Sequence, residues 1–129
     1  MDCFDISASG LAAQRGRLNV IAANIANVET TVTDTGGPYR RQQVIFASKG
    51  SNPGGVEVVG VVPDPREARQ VYQPGHPNAD AEGFVAYPNV NIVEEMVDLV
   101  SATRSYEANA AAFNAAKAMA QQALDLGRA

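Results

Sequence analysis

The sequence predicts an α+β fold, with a long helix at each end paired as an antiparallel coiled-coil bundle and a small irregular β region between them. Three observations predict it. Apolar residues recur at seven-residue spacing in the first segment, through Phe4, Leu11, Leu18 and Ile25. They do so again in the last, through Ile92, Leu99, Tyr106, Phe113 and Ala120. The stretch between is broken by clusters of Gly, Pro, Asn and Asp, which favour turns over regular structure. The chain thus divides into 1–32, 33–89 and 90–129, with the two ends as the assembly core and the middle as a β-rich region.

The first helix is expected from about Asp5 to Val28. Beside its main apolar row runs a second, Ser7, Gln14, Ile21 and Val28, at the offset an a/d pattern requires. Asn24 and Asn27 lie one turn apart near its end, where a residue that competes for backbone hydrogen bonds is best tolerated. The β-branched run Thr30-Thr31-Val32-Thr33 then resists further helix.

In the middle, turn signals stand at Asp34-Thr35-Gly36-Gly37-Pro38, Ser51-Asn52-Pro53-Gly54-Gly55, Pro63-Asp64-Pro65 and Pro74-Gly75-His76-Pro77-Asn78. Between them, Tyr39 to Ala47 and Val56 to Val62 read as strands. Gln70 to Gln73 and Gly83 to Tyr87 are weaker candidates. One or two hairpins result, too small to form a barrel with a ligand cavity.

The last helix is expected from Ile92 to about Leu126. Asn91 supplies an N-cap, and Glu94 three residues on completes a capping-box-like pattern. Glu94, Glu95 and Asp98 read as helix-start charges favoured by the dipole, and Gly127 as the stop. Met96, Thr103, Ala110 and Leu124 form a companion row that Lys117 interrupts. The nine alanines between Ala108 and Ala123 allow another backbone to approach closely.

Composition narrows the function classes. A chain of 129 residues that is 46% hydrophobic and 19% charged fits one small folded domain. Its net charge of -4 gives no basic surface for nucleic acid, and the adjacent Arg40 and Arg41 read as solvated strand residues. A single cysteine, Cys3, excludes an intramolecular disulfide, and one cysteine with one histidine, His76, cannot supply the ligands of a zinc site. His76, between two prolines, reads as a turn residue. No pair of carboxylates or Gly-rich phosphate loop points to catalysis, so no catalytic, cofactor-binding or metal residue and no cofactor is expected. The acidic start Met1-Asp2-Cys3-Phe4-Asp5 is unlike a cleavable signal peptide, and no apolar run reaches membrane-spanning length. A chain exported by a dedicated secretion machine would look the same.

Helix length argues for assembly. At ~1.5 Å per residue the last helix reaches on the order of 50 Å and the first about 35 Å. A globule of this size is only about 30 Å across. The β region cannot cover both stripes, and the longer helix must overhang its partner. An uncovered apolar stripe is an interface or an aggregation hazard.

Local motifs point the same way. Ala23-Asn24-Ile25-Ala26-Asn27 resembles the N-terminal signature of the flagellar axial proteins, which include rod and hook subunits. Gly36-Gly37-Pro38-Tyr39-Arg40-Arg41 is similar to the version found in the proximal-rod subfamily. So are Pro74-Gly75-His76-Pro77, Tyr87-Pro88-Asn89-Val90-Asn91, Glu95-Met96-Val97-Asp98, Tyr106-Glu107-Ala108-Asn109 and Ala112-Phe113-Asn114-Ala115-Ala116-Lys117. These matches come in order and cover nearly the whole chain; Ala47 to Gly55 carries none.

The resemblance implies a structural, non-enzymatic subunit of the bacterial flagellar basal-body rod. Its terminal helices would line an export channel, with the β region outside. It implies export by the flagellar type III apparatus without a cleaved signal and assembly across the periplasm. Partners would be copies of itself, other rod proteins, and the MS ring or export apparatus junction, without membrane insertion, nucleic acid or small-molecule substrate. Expected interface residues are Leu11, Leu18, Ile21, Asn24, Ile25, Asn27, Leu99, Tyr106, Asn109 and Phe113. Tyr39, Tyr87 and Pro88 are expected to fix the joint between the β region and the helices. The competing readings are another axial subunit, a small secreted enzyme acting on the cell wall, which would need two carboxylates in a cleft, and a small-ligand binding module.

Overall fold

A computed structural model describes residues 3–50 and 54–128. The elements run α1 (Cys3–Ala26), β1 (Gln42–Lys49), β2 (Gly55–Pro63), β3 (Arg69–Tyr72), β4 (Phe84–Tyr87) and α2 (Ile92–Gly127). The α+β architecture matches the sequence expectation. The turn cluster at residues 51–53 lies outside the described residues.

The two helices pair antiparallel. The Phe4 ring meets Phe113 edge-on at 5.3 Å, Gly10 faces Asn109, and Asn24 near the end of α1 reaches Glu95 in the first turns of α2. The seam is not the one read from large apolar residues. It is built from Ser7, Gly10, Ala13, Ile21 and Asn24 on α1, and from Glu95 and Ala102 on α2. The expected row of Ser7, Gln14 and Ile21 does take part. Its companion is Gly10 and Asn24, while Leu11, Leu18 and Ile25 lie half-buried on the flank. On α2 the inner row is Glu95, Ala102 and Asn109, with Leu99, Tyr106 and Phe113 half-buried beside it and Met96 and Thr103 exposed. Close approach explains the rotation. A Cβ at Gly10 would stand 2.5 Å from the Asn109 side-chain oxygen, so any larger residue would push the Asn109 carboxamide out of its place between the helices.

Two separate two-stranded antiparallel sheets make up the middle. The first pairs Gln42 with Pro63 through to Lys49 with Gly55, with a register shift between Ile45 and Phe46. It lies on α1, where the Val56 N–H donates to Ser9 Oγ at 3.1 Å and Val58 packs against Gly16. The second pairs Arg69 with Tyr87 and Tyr72 with Phe84. Gly83 closes it with φ +89, and a Cβ there would meet the Tyr72 ring at 2.8 Å.

Several local expectations change. Arg41 precedes β1 rather than lying in it. Tyr87 belongs to the second hairpin: its hydroxyl donates to Gln73 at 2.6 Å and Arg69 sits over its ring. Asn91 does cap α2, accepting from the N–H groups of Val93 and Glu94, but the Glu94 carboxylate is held by Arg66. Gly127 does not stop α2 in the left-handed region; the helix runs through it to Arg128, whose φ is -87.

The apolar core is slight. Its buried hydrophobic members are Ala13, Ile21, Val85, Val90 and Ala102, none of them aromatic. The largest fully buried side chains include Glu95, Asn24 and Asp64. The fold is centred on polar groups, and that is unusual enough to require a full set of hydrogen-bond partners.

Candidate functional site: a buried charged junction and open helix faces

Arg41 is the hub where α1, the first hairpin and α2 meet. Its guanidinium donates through Nη1 to Asp64 at 3.0 Å, through Nε to Glu95, and through Nη2 to Asp98 at 3.2 Å. Its backbone N–H donates to Asn89 Oδ1 at 2.7 Å, which ties in the segment before α2. The fork geometry of a guanidinium allows one residue to serve three carboxylates, which an ammonium on a flexible stem does not. Arg66 adds a second clamp, bonding Asp64 at 2.9 Å and Glu94 at 3.2 Å.

Asn24 completes the junction from α1. Its Nδ2 donates to the Gln42 carbonyl at 3.0 Å and to Glu95 Oε2 at 3.4 Å. Its Oδ1 accepts from the Tyr39 hydroxyl at 2.8 Å and the Gln42 N–H at 3.0 Å. These four bonds use the full capacity of a carboxamide. Asn27, by contrast, finishes the helix: its Nδ2 donates to the Ala23 carbonyl and its Oδ1 accepts from Thr30. Tyr39 thus fixes the joint as expected, with Arg41, Asp64 and Glu95 the members that sequence reasoning missed. The available signal was the seven-residue spacing of Glu95 with Ala102 and Asn109, which turns Glu95 inward.

The electrostatics follow from burial and pairing. Burial alone pushes the Asp64 carboxyl up, but hydrogen bonds from Arg66, Gln43 and Arg41 outweigh it and hold the group well below the usual carboxylate range. Burial lowers Arg41, yet the bond and charge of Glu95, reinforced by Asp64, leave it raised. Burial first and the Glu95 charge second push the Tyr39 phenol up. An unfolded aspartate ionises near ~3.9, so the stability contributed by Asp64 is complete above that pH and lost as the pH falls below it. Urea midpoints of the unaltered chain are therefore expected to drop between about pH 5 and pH 2. The Asp64→Asn chain should start lower at neutral pH and fall less steeply. Parallel curves would show that Asp64 carries none of the acid sensitivity.

Apart from Asn27, which finishes α1, the expected interface residues divide into two sets. Ile21 and Asn24 are buried within the chain, and Asn109 is half-buried against Gly10 with its Nδ2 on the Ser105 carbonyl. Leu11, Leu18, Ile25, Leu99, Tyr106 and Phe113 are half-buried on the flanks. Leu11, Tyr106 and Phe113, with Ala8, Ala12 and Arg15, line an open groove of about 340 Å³ between the helices. A second cleft of about 450 Å³ opens over Arg41, Glu95 and Asp98, walled by Val20, Ile21, Val44 and Phe46. Further along, Val93, Met96, Val97 and Val100 are each more than half exposed on one face of α2. His76 sits in its turn, accepting from the Asn78 N–H at 3.0 Å. Among the described residues no His, Cys, Asp and Glu group could hold a metal ion, and no helix is long and apolar enough to cross a membrane.

Comparison with known proteins gives this geometry its context. Residues 4–32 match the family described as flagella basal body rod protein, and residues 81–126 match the flagellar basal body rod FlgEFG protein C-terminal family. The flagellar basal-body rod protein FlgC of Yersinia enterocolitica is 45% identical, covering 99% of this chain and 98% of its own length. This chain belongs to the FlgC family of flagellar basal-body rod proteins. Family members at similar distance come from far apart: that of Bacillus subtilis is 44% identical over 97% of this chain and 96% of its own. That of Borreliella burgdorferi is 43% identical over 94% and 93%. The family is one of structural rod subunits, and the two matched segments are the two that form α1 and the α2 side of the junction.

Proposed function

We propose that the chain builds the proximal part of the flagellar rod by packing its terminal helices helically against copies of itself and against other rod proteins. One observation carries this reading. Apart from Ile21, the seam inside the chain is made of small and polar residues, while the large apolar side chains Leu11, Leu18, Ile25, Leu99, Tyr106 and Phe113 are left half-covered on its flanks. A helix pair of this kind gains little apolar burial alone and more when neighbours cover the flanks. Contact between unlike faces of successive subunits generates an open helical tube when its rotation does not close into a ring.

In this reading residues 1–32 and 90–129 are the assembly core and residues 33–89 the outer β region, which the Arg41 junction fixes to the helices. The protein acts without catalysis. It reaches the periplasm through the flagellar type III apparatus without a cleaved signal, and its first contacts are at the MS ring and export apparatus junction. Tyr106→Ala and Phe113→Ala, introduced separately in motile cells, are expected to block rod assembly while the altered chain is still exported. Normal rods from both variants would overturn the reading.

A further inference from the structure

His76 stands in the loop between β3 and β4, apart from both the Arg41 junction and the open helix faces. Its Nδ1 accepts a hydrogen bond from the Asn78 backbone N–H at 3.0 Å. A backbone N–H can only donate, so the ring nitrogen facing it carries no proton. Asn78 passes the contact on. Its Nδ2 donates to Thr31 Oγ1 at 2.8 Å, which ties the loop to the segment that follows α1. That segment is itself anchored, because the Tyr39 N–H donates to the Thr30 carbonyl at 3.0 Å and the Tyr39 hydroxyl reaches Asn24. The second hairpin is thus held toward α1 by a loop whose shape depends on a neutral imidazole.

The charges around His76 do not favour a protonated ring. It meets Tyr87 of β4 edge-on at 6.2 Å, and the Arg69 guanidinium of β3 lies over the same Tyr87 ring at 5.2 Å. The carboxylates on neighbouring segments are Glu29 and Asp34 after α1, Glu67 before β3, and Asp80 and Glu82 in the loop itself. None of them makes an ion pair with the imidazole among the described residues. Asp80 is engaged elsewhere, since its Oδ1 accepts from the N–H groups of Glu82 and Phe84. Protonation turns Nδ1 from an acceptor into a donor. The Asn78 bond is then lost, and a second cation stands by the Tyr87 ring with no carboxylate in place to receive it.

We propose that His76 is a pH-sensitive latch: its neutral ring holds the β3–β4 loop against the segment after α1, and its protonation releases the loop. A free histidine takes up its proton near ~6.5, so the latch is closed in neutral solution and opens as the pH falls through the histidine range. The latch does not depend on the rod-subunit reading, because every group in it belongs to one chain.

Hydrogen exchange of the purified full chain tests it, read amide by amide by NMR at about pH 7.5 and about pH 5 and corrected for the intrinsic effect of pH on exchange. Protection of the Asn78 N–H is expected to fall about fivefold on acidification, the weight of one hydrogen bond. The Gln73 N–H, which donates to the Gly83 carbonyl within the same hairpin, should keep its protection. The nuclear Overhauser contact between the Asn78 carboxamide and Thr31 should weaken together with the Asn78 bond. Two variants separate the latch from a general loosening. His76→Phe offers no acceptor and should show low protection at both pH values. His76→Asn can accept from the same N–H without titrating, as in an Asx turn, and should stay protected at both. Should His76→Phe fail to fold, His76→Asn alone decides. Equal Asn78 protection at the two pH values in the unaltered chain would overturn the latch. So would an unchanged contact with Thr31, or a loss of protection in His76→Asn as large as in the unaltered chain.

Discussion

Replacing Arg41 by alanine is expected to destabilise the chain by about 3–5 kcal/mol, the range for removing one partner of a buried ion pair. The cost arises mostly from what is left behind. Glu95 is fully buried, and without Arg41 its carboxylate keeps one weak bond, from Asn24 at 3.4 Å. Asp64 retains Arg66, so its loss is smaller. Total stability for a domain is on the order of 5–15 kcal/mol, and the apolar core here is slight. The substitution should therefore bring the chain close to unfolding at 25 °C. Arg41→Lys should recover only part of the loss, because an ammonium cannot reproduce the fork. The neighbouring position gives the contrast. Arg40 is exposed and bonds two backbone carbonyls, of Asp64 and Arg66, so Arg40→Ala should cost about 1 kcal/mol or less. Urea denaturation of the three variants decides the matter. Equal losses at Arg40 and Arg41 would mean that the junction does not hold the fold.

The same pair of residues marks where sequence reasoning stops. Read locally, two arginines before a strand are alike. What separates them is the company Arg41 keeps, and Asp64, Glu95 and Asp98 lie 23, 54 and 57 residues away along the chain. By contrast, features set by local physics were legible. Asn91 caps α2 because its side chain reaches the first free N–H groups, and the four strands fall between the turn clusters that bound them. The helix seam was half legible. Periodicity weights large apolar residues, so it selected Leu11, Leu18, Leu99 and Tyr106. The helices instead meet where side chains are smallest, at Gly10, Ala13 and Ala102, and the large residues are displaced to the flanks. That displacement leaves the same stripes open to neighbours.

Asn24→Asp is the sharper test of the junction, since it changes one atom type and little shape. The introduced carboxylate keeps both acceptor roles, toward the Tyr39 hydroxyl and the Gln42 N–H, but loses both donor roles. The Gln42 carbonyl is left without its bond, and a second negative charge arrives beside Glu95 in a site with almost no solvent. A buried acceptor left unpaired costs about 1–3 kcal/mol, and the like-charge contact adds to it. The chain should lose about 3 kcal/mol or more at neutral pH. The repulsion can be isolated by a double-mutant cycle, in which Asn24→Asp should cost less in a Glu95→Gln background than in the unaltered chain, while the unpaired Gln42 carbonyl keeps a residual cost in both. Equal costs in the two backgrounds, read by urea denaturation, would place Asn24 and Glu95 out of contact and remove the link between α1 and the Arg41 junction.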